Sequence, residues 1–282
     1  MLTIALTCAI LCMSLKQGTT MKEGYYLMAR MIFDTETTSI EKPFAYNVGY
    51  RIVDDDFNVL VEKDFVIEQI WHNLPLFESA YYHDKRPLYV LAMRRHETIM
   101  TKWGYMVGEM LRDIKKHEVT SAYAFNSNFD ENVFNFCCDW FKTRNPFDNI
   151  PIYDIWGYSS QFITNTPEYR TFCELNELFT DKGLYQGNAE ALTKFLTCNT
   201  DFEEAHTALA DARIETEILK ACVNRGAELD KEYKVVRFLH PDKPTPYAIK
   251  VNGEIVHEGQ YIKKYVRNEV YSFTEEVEEV AE

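Results

Sequence analysis

Asp34 and Glu36 stand two residues apart at the end of a short apolar run, Met31-Ile32-Phe33. A run of that kind suits a strand buried on both faces. On an extended strand, residues i and i+2 project to one side, so both carboxylates would leave the strand end together. Like charges that close resist burial unless a cation sits between them, and a hard divalent ion with oxygen ligands is the usual answer. Two other stretches offer matching chemistry. Asp130 follows Asn126-Ser127-Asn128-Phe129, just past a strand-like segment at 120–125. His206 and Asp211 stand five apart in His-Thr-Ala-Leu-Ala-Asp, where a long helical pattern begins. A histidine beside carboxylates suits proton transfer, because its pKa lies near neutrality. Taken singly, each piece has a plainer reading: solvated acids in a chain with 44 Asp and Glu, or a packed imidazole.

Bringing these groups together requires a sheet whose strand ends converge. The Asp34 strand is followed by strand-like stretches at 46–53 and 59–67, joined through the polar turn Asp54-Asp55-Asp56-Phe57-Asn58. The pattern predicts an antiparallel three-strand meander with the acids on its first strand. A helix over 101–117 carries Trp103, Met106, Val107, Met110, Leu111 and Ile114 at three- and four-residue spacing. A strand at 120–125, a helix from Asp130 to Phe141 stopped by Asn145-Pro146, and a strand at 150–155 form a parallel crossover. Asn188 is placed to cap a helix through Leu192 and Leu196. The last long helix carries Ile214, Ile218, Leu219 and Val223 and ends at Gly226. Beyond it, strand-like pieces at 235–239, 248–251 and 254–256, with a turn at Asn252-Gly253, predict a small β appendage over 231–273 and an acidic tail over 274–282.

The stretch 68–96 is irregular. Its aromatics, Trp71, Phe77, Tyr81, Tyr82 and Tyr89, read as core, with base stacking as the alternative. Lys85, Arg86, Arg94 and Arg95 either touch a phosphate backbone or form a solvated surface.

With the three pieces in order along the chain, Asp34-Thr35-Glu36, then Asn126-Ser127-Asn128-Phe129-Asp130, then His206-Thr207-Ala208-Leu209-Ala210-Asp211, the sequence resembles the DEDDh family of 3′–5′ exonucleases. That family belongs to the RNase H-like superfamily and includes proofreading and oligoribonuclease-type enzymes. The resemblance spans about residues 30–226. It implies an α/β fold with a five-stranded mixed sheet, meander plus parallel strands, flanked by helices. It also implies hydrolysis of DNA or RNA from the 3′ end to nucleoside 5′-monophosphates, with two Mg²⁺ or Mn²⁺ ions about 4 Å apart. On that likeness Asp34 bridges both ions, Glu36 and Asp211 hold the one nearer the attacking water, Asp130 supports the other, and His206 is the general base. Thr37, Thr38 and Asn126, with Phe129, line the pocket for the terminal nucleotide.

The expected partner is single-stranded nucleic acid or a 3′ end, DNA before RNA, with no membrane. A replication or repair protein docking on the appendage is a further expected partner, and a noncatalytic docking subunit on the same fold is the alternative reading. The net charge of −14 argues against nonspecific coating of nucleic acid. Seven cysteines without a Cys-x-x-Cys pair read as reduced thiols in the cytoplasm of a bacterium or a phage-infected cell. The apolar run 2–15 is short for a membrane span and lacks a positive leader. The expectation is an apolar extension over 1–27 ahead of a nuclease domain over 28–230, read as a misplaced start with Met28 as the true one, and with a signal peptide or anchor as the alternative.

Overall fold

Strand β1 (Ala29–Thr37) is the axis of a mixed sheet. The computed structural model describes residues 28–237 and, beyond them, the backbone of 247–251, 254–257, 265–266 and 277–279. β1 pairs antiparallel with β2 (Ala45–Val53), and β2 with β3 (Val59–Ile67), which is the expected meander. The register sets Asp34 opposite Gly49 and Glu36 opposite Asn47. A short strand β4 (Ile99–Thr101) lies parallel to the outer edge of β3. On its other side β1 pairs in parallel with β5 (Val119–Ala124), and β5 with β6 (Ile152–Asp154). The order β4-β3-β2-β1-β5-β6 gives a mixed α/β sheet of six strands rather than the expected five. The extra strand is β4, whose three residues are too few to show a period.

The 68–96 stretch folds into α1 (Glu68–Trp71), α2 (Leu74–Phe77), a 3₁₀ turn at His83–Lys85 and α3 (Arg86–Arg94). Next come α4 (Trp103–Lys116) and α5 (Ser127–Phe141). After β6 the chain forms α6 (Ile155–Phe162), α7 (Pro167–Leu175), α8 (Ala189–Thr197) and α9 (Ala208–Val223). Asn188 caps α8 as expected, its side chain accepting from the Ala191 N–H at 3.1 Å. Among the described residues no helix is long and apolar enough to cross a membrane.

Two apolar clusters sandwich the sheet, and β1 feeds both. Met31 and Phe33 join Trp103 and Phe134 from α4 and α5, whereas Ile32 joins Leu192, Ala212, Ile218 and Leu219 from α8 and α9. Strand alternation therefore sends Asp34 and Glu36 towards α9 and Thr35 towards α5. Trp71, Phe77 and Tyr89 are buried in the first cluster, the core reading of those aromatics.

The start of α9 is pressed onto β2. The side chain of Asn47 accepts from the Ala208 N–H at 2.8 Å and donates to Asp64 at 2.7 Å and to the Phe65 carbonyl at 3.0 Å. Thr207 gives no side-chain cap to α9, so Asn47 satisfies one of the helix's open N–H groups from across the sheet. Gly49 makes this approach possible, because a Cβ there would stand 2.5 Å from Leu209 Cα and closer to Leu209 N and Ala208 C.

Past α9 the chain returns to the N-terminal ends of β1 and β5. Asp230, with φ +60, accepts from Arg30 at 2.8 Å, Ser121 at 2.5 Å and Tyr123 at 2.8 Å. Residues 233–236 then run along α6, where the Tyr233 carbonyl packs against Gly157 and the Val236 N–H donates to Ser160 at 2.9 Å. In the appendage region β7 (Val236–Arg237) pairs with β10 (Tyr265–Val266), and β8 (Tyr247–Val251) pairs with β9 (Glu254–His257) and with β11 (Val277–Glu279), which falls in the expected acidic tail. The N-terminal apolar run and the Asn252-Gly253 turn lie outside the described residues.

Candidate metal centre

Ligand atoms of Glu36, His206 and Asp211 lie within 4.8 Å of one another, brought together from β1, the loop before α9, and the first turn of α9. The site follows from the register and the pressed helix: β1 delivers Glu36 on the α9 side, and the Asn47–Ala208 bond fixes where α9 begins. Asp211 accepts from the His206 backbone N–H, and its Oδ1 is buried without a partner.

All four carboxylates singled out in the sequence are held above the usual carboxylate range. Burial raises Asp34 first, with Asp130, Glu215, Asp211 and Glu36 adding their like charges. Glu36 is pushed up to about 8, by burial before the charge of Asp130, although Tyr46 donates to it at 3.4 Å. Asp211 is pushed up to about 9 by burial, then by Glu204 and Glu36. Asp130, on the first turn of α5, rises to about 7 through burial; the Thr35 hydroxyl donates to it at 2.6 Å and opposes the rise. Buried carboxylates in this density favour either protons or a cation. Oxygen donors with an orphaned lone pair among them fit a hard divalent ion.

His206 is half-buried in a left-handed backbone conformation, φ +52. Its ring stacks on Tyr82, with centroids 4.2 Å apart and planes at 12°. Nδ1 lies 3.8 Å from Glu204 Oε2, and Glu190, Glu204 and His206 form a second group within 4.8 Å. Burial, then the charge of Lys85, lowers the His206 pKa against the opposing charge of Glu190, which favours the neutral imidazole that can accept a proton. Burial also pushes Glu204 up to about 7.

A cleft of about 380 Å³ opens beside Glu36, and Thr37, Thr38 and Phe129 line it together with Ser39, Tyr81 and Tyr82. Tyr81 is 84% exposed, unlike the core aromatics near it. Asn126 is not in that lining. It lines a different cleft with Phe125, Trp156 and Arg237, because its left-handed backbone, φ +61, turns the chain from β5 into α5 while its N–H donates to Asp154 at 2.9 Å. Of the basic residues, Arg86 stacks on Trp71 at 4.4 Å and lines an exposed groove with Arg94, while the field of Lys85 reaches Glu36, His206 and Asp211.

Glu190, Glu204, Glu215 and Tyr82 stand at the site without having been singled out for it. A signal existed for Glu215 alone: it lies four residues after Asp211, on the buried face of α9 with Ile218 and Leu219. An acid in an apolar stripe asks for a reason.

No family model and no curated protein matches the chain. Solved structures of exonuclease I are similar. That of E. coli exonuclease I with a dA16 oligonucleotide shows 15% identity and a TM-score of 0.44, covering 71% of this chain and 41% of that one. E. coli exonuclease I with a 5cy-dT13 oligonucleotide shows 14% identity and a TM-score of 0.46, covering 71% and 41%. Product-bound exonuclease I shows 15% identity and a TM-score of 0.47, covering 71% and 44%. The chain thus spans less than half the length of these proteins, and at such TM-scores the functional reading rests on the residues themselves.

Proposed function

We propose that the chain is a divalent-metal-dependent 3′–5′ exonuclease that releases nucleoside 5′-monophosphates, from DNA before RNA. One observation carries the reading: Glu36, His206 and Asp211 converge within 4.8 Å from separated stretches, with Asp130, Asp211 and Glu36 near enough to raise the pKa of Asp34. Asp34, Glu36, Asp130 and Asp211 would hold Mg²⁺ or Mn²⁺. When bound, the metal would acidify a water and offset charge on the phosphate. His206 accepts the proton as the water oxygen attacks phosphorus, the bond to the 3′ oxygen breaks, and that oxygen is protonated from solvent. Stacking on Tyr82 holds the imidazole plane fixed during that transfer. Thr37 and Phe129 offer the terminal nucleotide a hydroxyl and an apolar wall in the neighbouring cleft, which Thr38 also lines while its own hydroxyl donates to the Lys42 carbonyl at 3.3 Å.

The test is a time course on 5′-labelled single-stranded DNA and RNA oligonucleotides with Mg²⁺, Mn²⁺ or EDTA, for wild type beside Asp34→Ala. A metal-dependent ladder shortening from the 3′ end and absent in the variant is the expected result, and the faster substrate names the nucleic acid. Full activity in Asp34→Ala, or none in wild type with either metal, overturns the proposal. Docking of a replication or repair protein on the appendage is tested separately, by pull-down with and without residues 238–282.

A further inference from the structure

The metal reading uses four carboxylates, and the structure contains a fifth beside them. Glu215 is only 3% exposed. One of its carboxyl oxygens accepts from the Phe125 N–H, just past the end of β5. The other, Oε2, is buried with no partner. Glu215 lies one helical turn beyond Asp211 on α9, on the face turned to β1 and β2. Of the like charges acting on Asp34, Asp130 and Glu215 outrank Asp211 and Glu36. Those acting on Glu215 are led by Asp130 and Asp211. Glu215 thus lies in the field of the acids on β1, α5 and α9, one turn from Asp211, with Oε2 buried and unpaired.

Buried acids in folded proteins are normally paired with a cation or fully hydrogen-bonded. Among the described residues no Lys, Arg or His forms an ion pair with Glu215. The leading charges acting on it, those of Asp130, Asp211 and Glu204, are negative. A site built that way has a lone pair to offer and a reason to want positive charge, and its neighbours are the oxygens that suit a hard divalent ion.

We infer that Glu215 is a fifth acidic residue of the metal centre and holds a divalent cation together with Asp34, Asp130 and Asp211. The inference rests on the metal reading of this site, and its test separates the two. Mn²⁺ binding to the full chain is measured by calorimetry and by the shift it gives in melting temperature. The proteins compared are wild type, Glu215→Gln and Asp34→Asn. Glu215→Gln keeps the shape and the bond to Phe125 N–H and removes the charge, so the metal-free protein should melt no lower than wild type. Its Mn²⁺ affinity should fall about 10- to 100-fold, in the range seen when a residue supporting a metal is lost, and its Mn²⁺-induced melting shift should shrink. Wild-type Mn²⁺ affinity in Glu215→Gln, with Asp34→Asn weakened, overturns the role of Glu215 and leaves the metal centre standing. No Mn²⁺ binding by wild type overturns both. A Glu215→Gln protein that does not fold is replaced by Glu215→Asp, which keeps the charge and shortens the reach. Mn²⁺ affinity lowered there with the metal-free melt unchanged supports the inference, and unchanged affinity overturns it.

Discussion

Replacing Gly49 by alanine puts a methyl group where the first turn of α9 already stands. The new carbon would lie 2.5 Å from Leu209 Cα and closer to Leu209 N and Ala208 C. Ordinary carbon contacts are about 3.5–4.0 Å, so strand and helix must separate by roughly 1 Å. Both obstructing groups are backbone, which cannot rotate away. Overpacking of this kind costs about 1–3 kcal/mol. At about 2–4 °C per kcal/mol for a domain of this size, melting should fall by roughly 2–12 °C. The same displacement carries His206 and Asp211 away from Glu36, and a shift of about 1 Å in reacting groups can cost about 10²-fold in rate. Gly49 touches no substrate in the proposed reaction, so the loss should be in kcat. The control is Gly108→Ala in α4, where the nearest atom to the new methyl is Arg112 Nη1 at 3.7 Å. That change should be neutral or stabilise by about 0.5–1 kcal/mol. The assay pairs melting curves of metal-free protein with initial rates on a 5′-labelled oligonucleotide. If Gly49→Ala melts within about 1 °C of wild type and keeps its rate, the contact at Gly49 does not set the position of α9.

His206→Ala should lower turnover by about 10²–10⁴-fold, the range for a lost general base, while Mn²⁺ binding by calorimetry persists; lost binding would make the imidazole a ligand instead. Thr35→Val removes the 2.6 Å bond to Asp130 and should destabilise the protein by about 1–3 kcal/mol, read from denaturant melts, with unchanged stability counting against a structural role for that bond. In metal-free protein Glu36 and Asp211 titrate near 8 and 9, against about 4 in an unfolded chain. The folded state then binds more protons, so stability should fall as pH rises from about 4 to 9. Melting in EDTA should be lower at pH 9 than at pH 5, and saturating Mn²⁺ should reverse that order by taking the place of the protons. A melting temperature in EDTA that rises over the interval contradicts burial of these groups.

The meander and the crossover could be read from residues because their signals are local. Apolar runs bounded by Asp54-Asp55-Asp56 or Asn145-Pro146 mark strand and helix ends without knowledge of what packs on them. β4 could not be read that way, since Ile99–Thr101 becomes a strand only by lying along Phe65–Ile67. The helices of 68–96 are similar: α1 and α2 have four residues each, too short to persist without the core under Trp71 and Phe77. At the site, residues tied to their motif by spacing were legible, and those tied by tertiary packing were not. Glu215 shows in the sequence only as an acid in an apolar stripe, and its surroundings appear once α9 is laid on β1; Tyr82 gains meaning only once its ring meets His206. Asn126 had the motif but not the place, because the left-handed turn it makes sets it in the other cleft.

The bonds from Asp230 to Arg30, Ser121 and Tyr123 also decide how mechanical load would travel through the molecule. Tension applied to the chain beyond residue 237 meets the grip of α6 on residues 233–236 and then this clasp, which passes it to the N-terminal ends of β1 and β5. The junction between Gly49 and the first turn of α9 stays off that path. A tether or surface attached at the C-terminal side would therefore strain the scaffold before it disturbed the spacing of Glu36, His206 and Asp211.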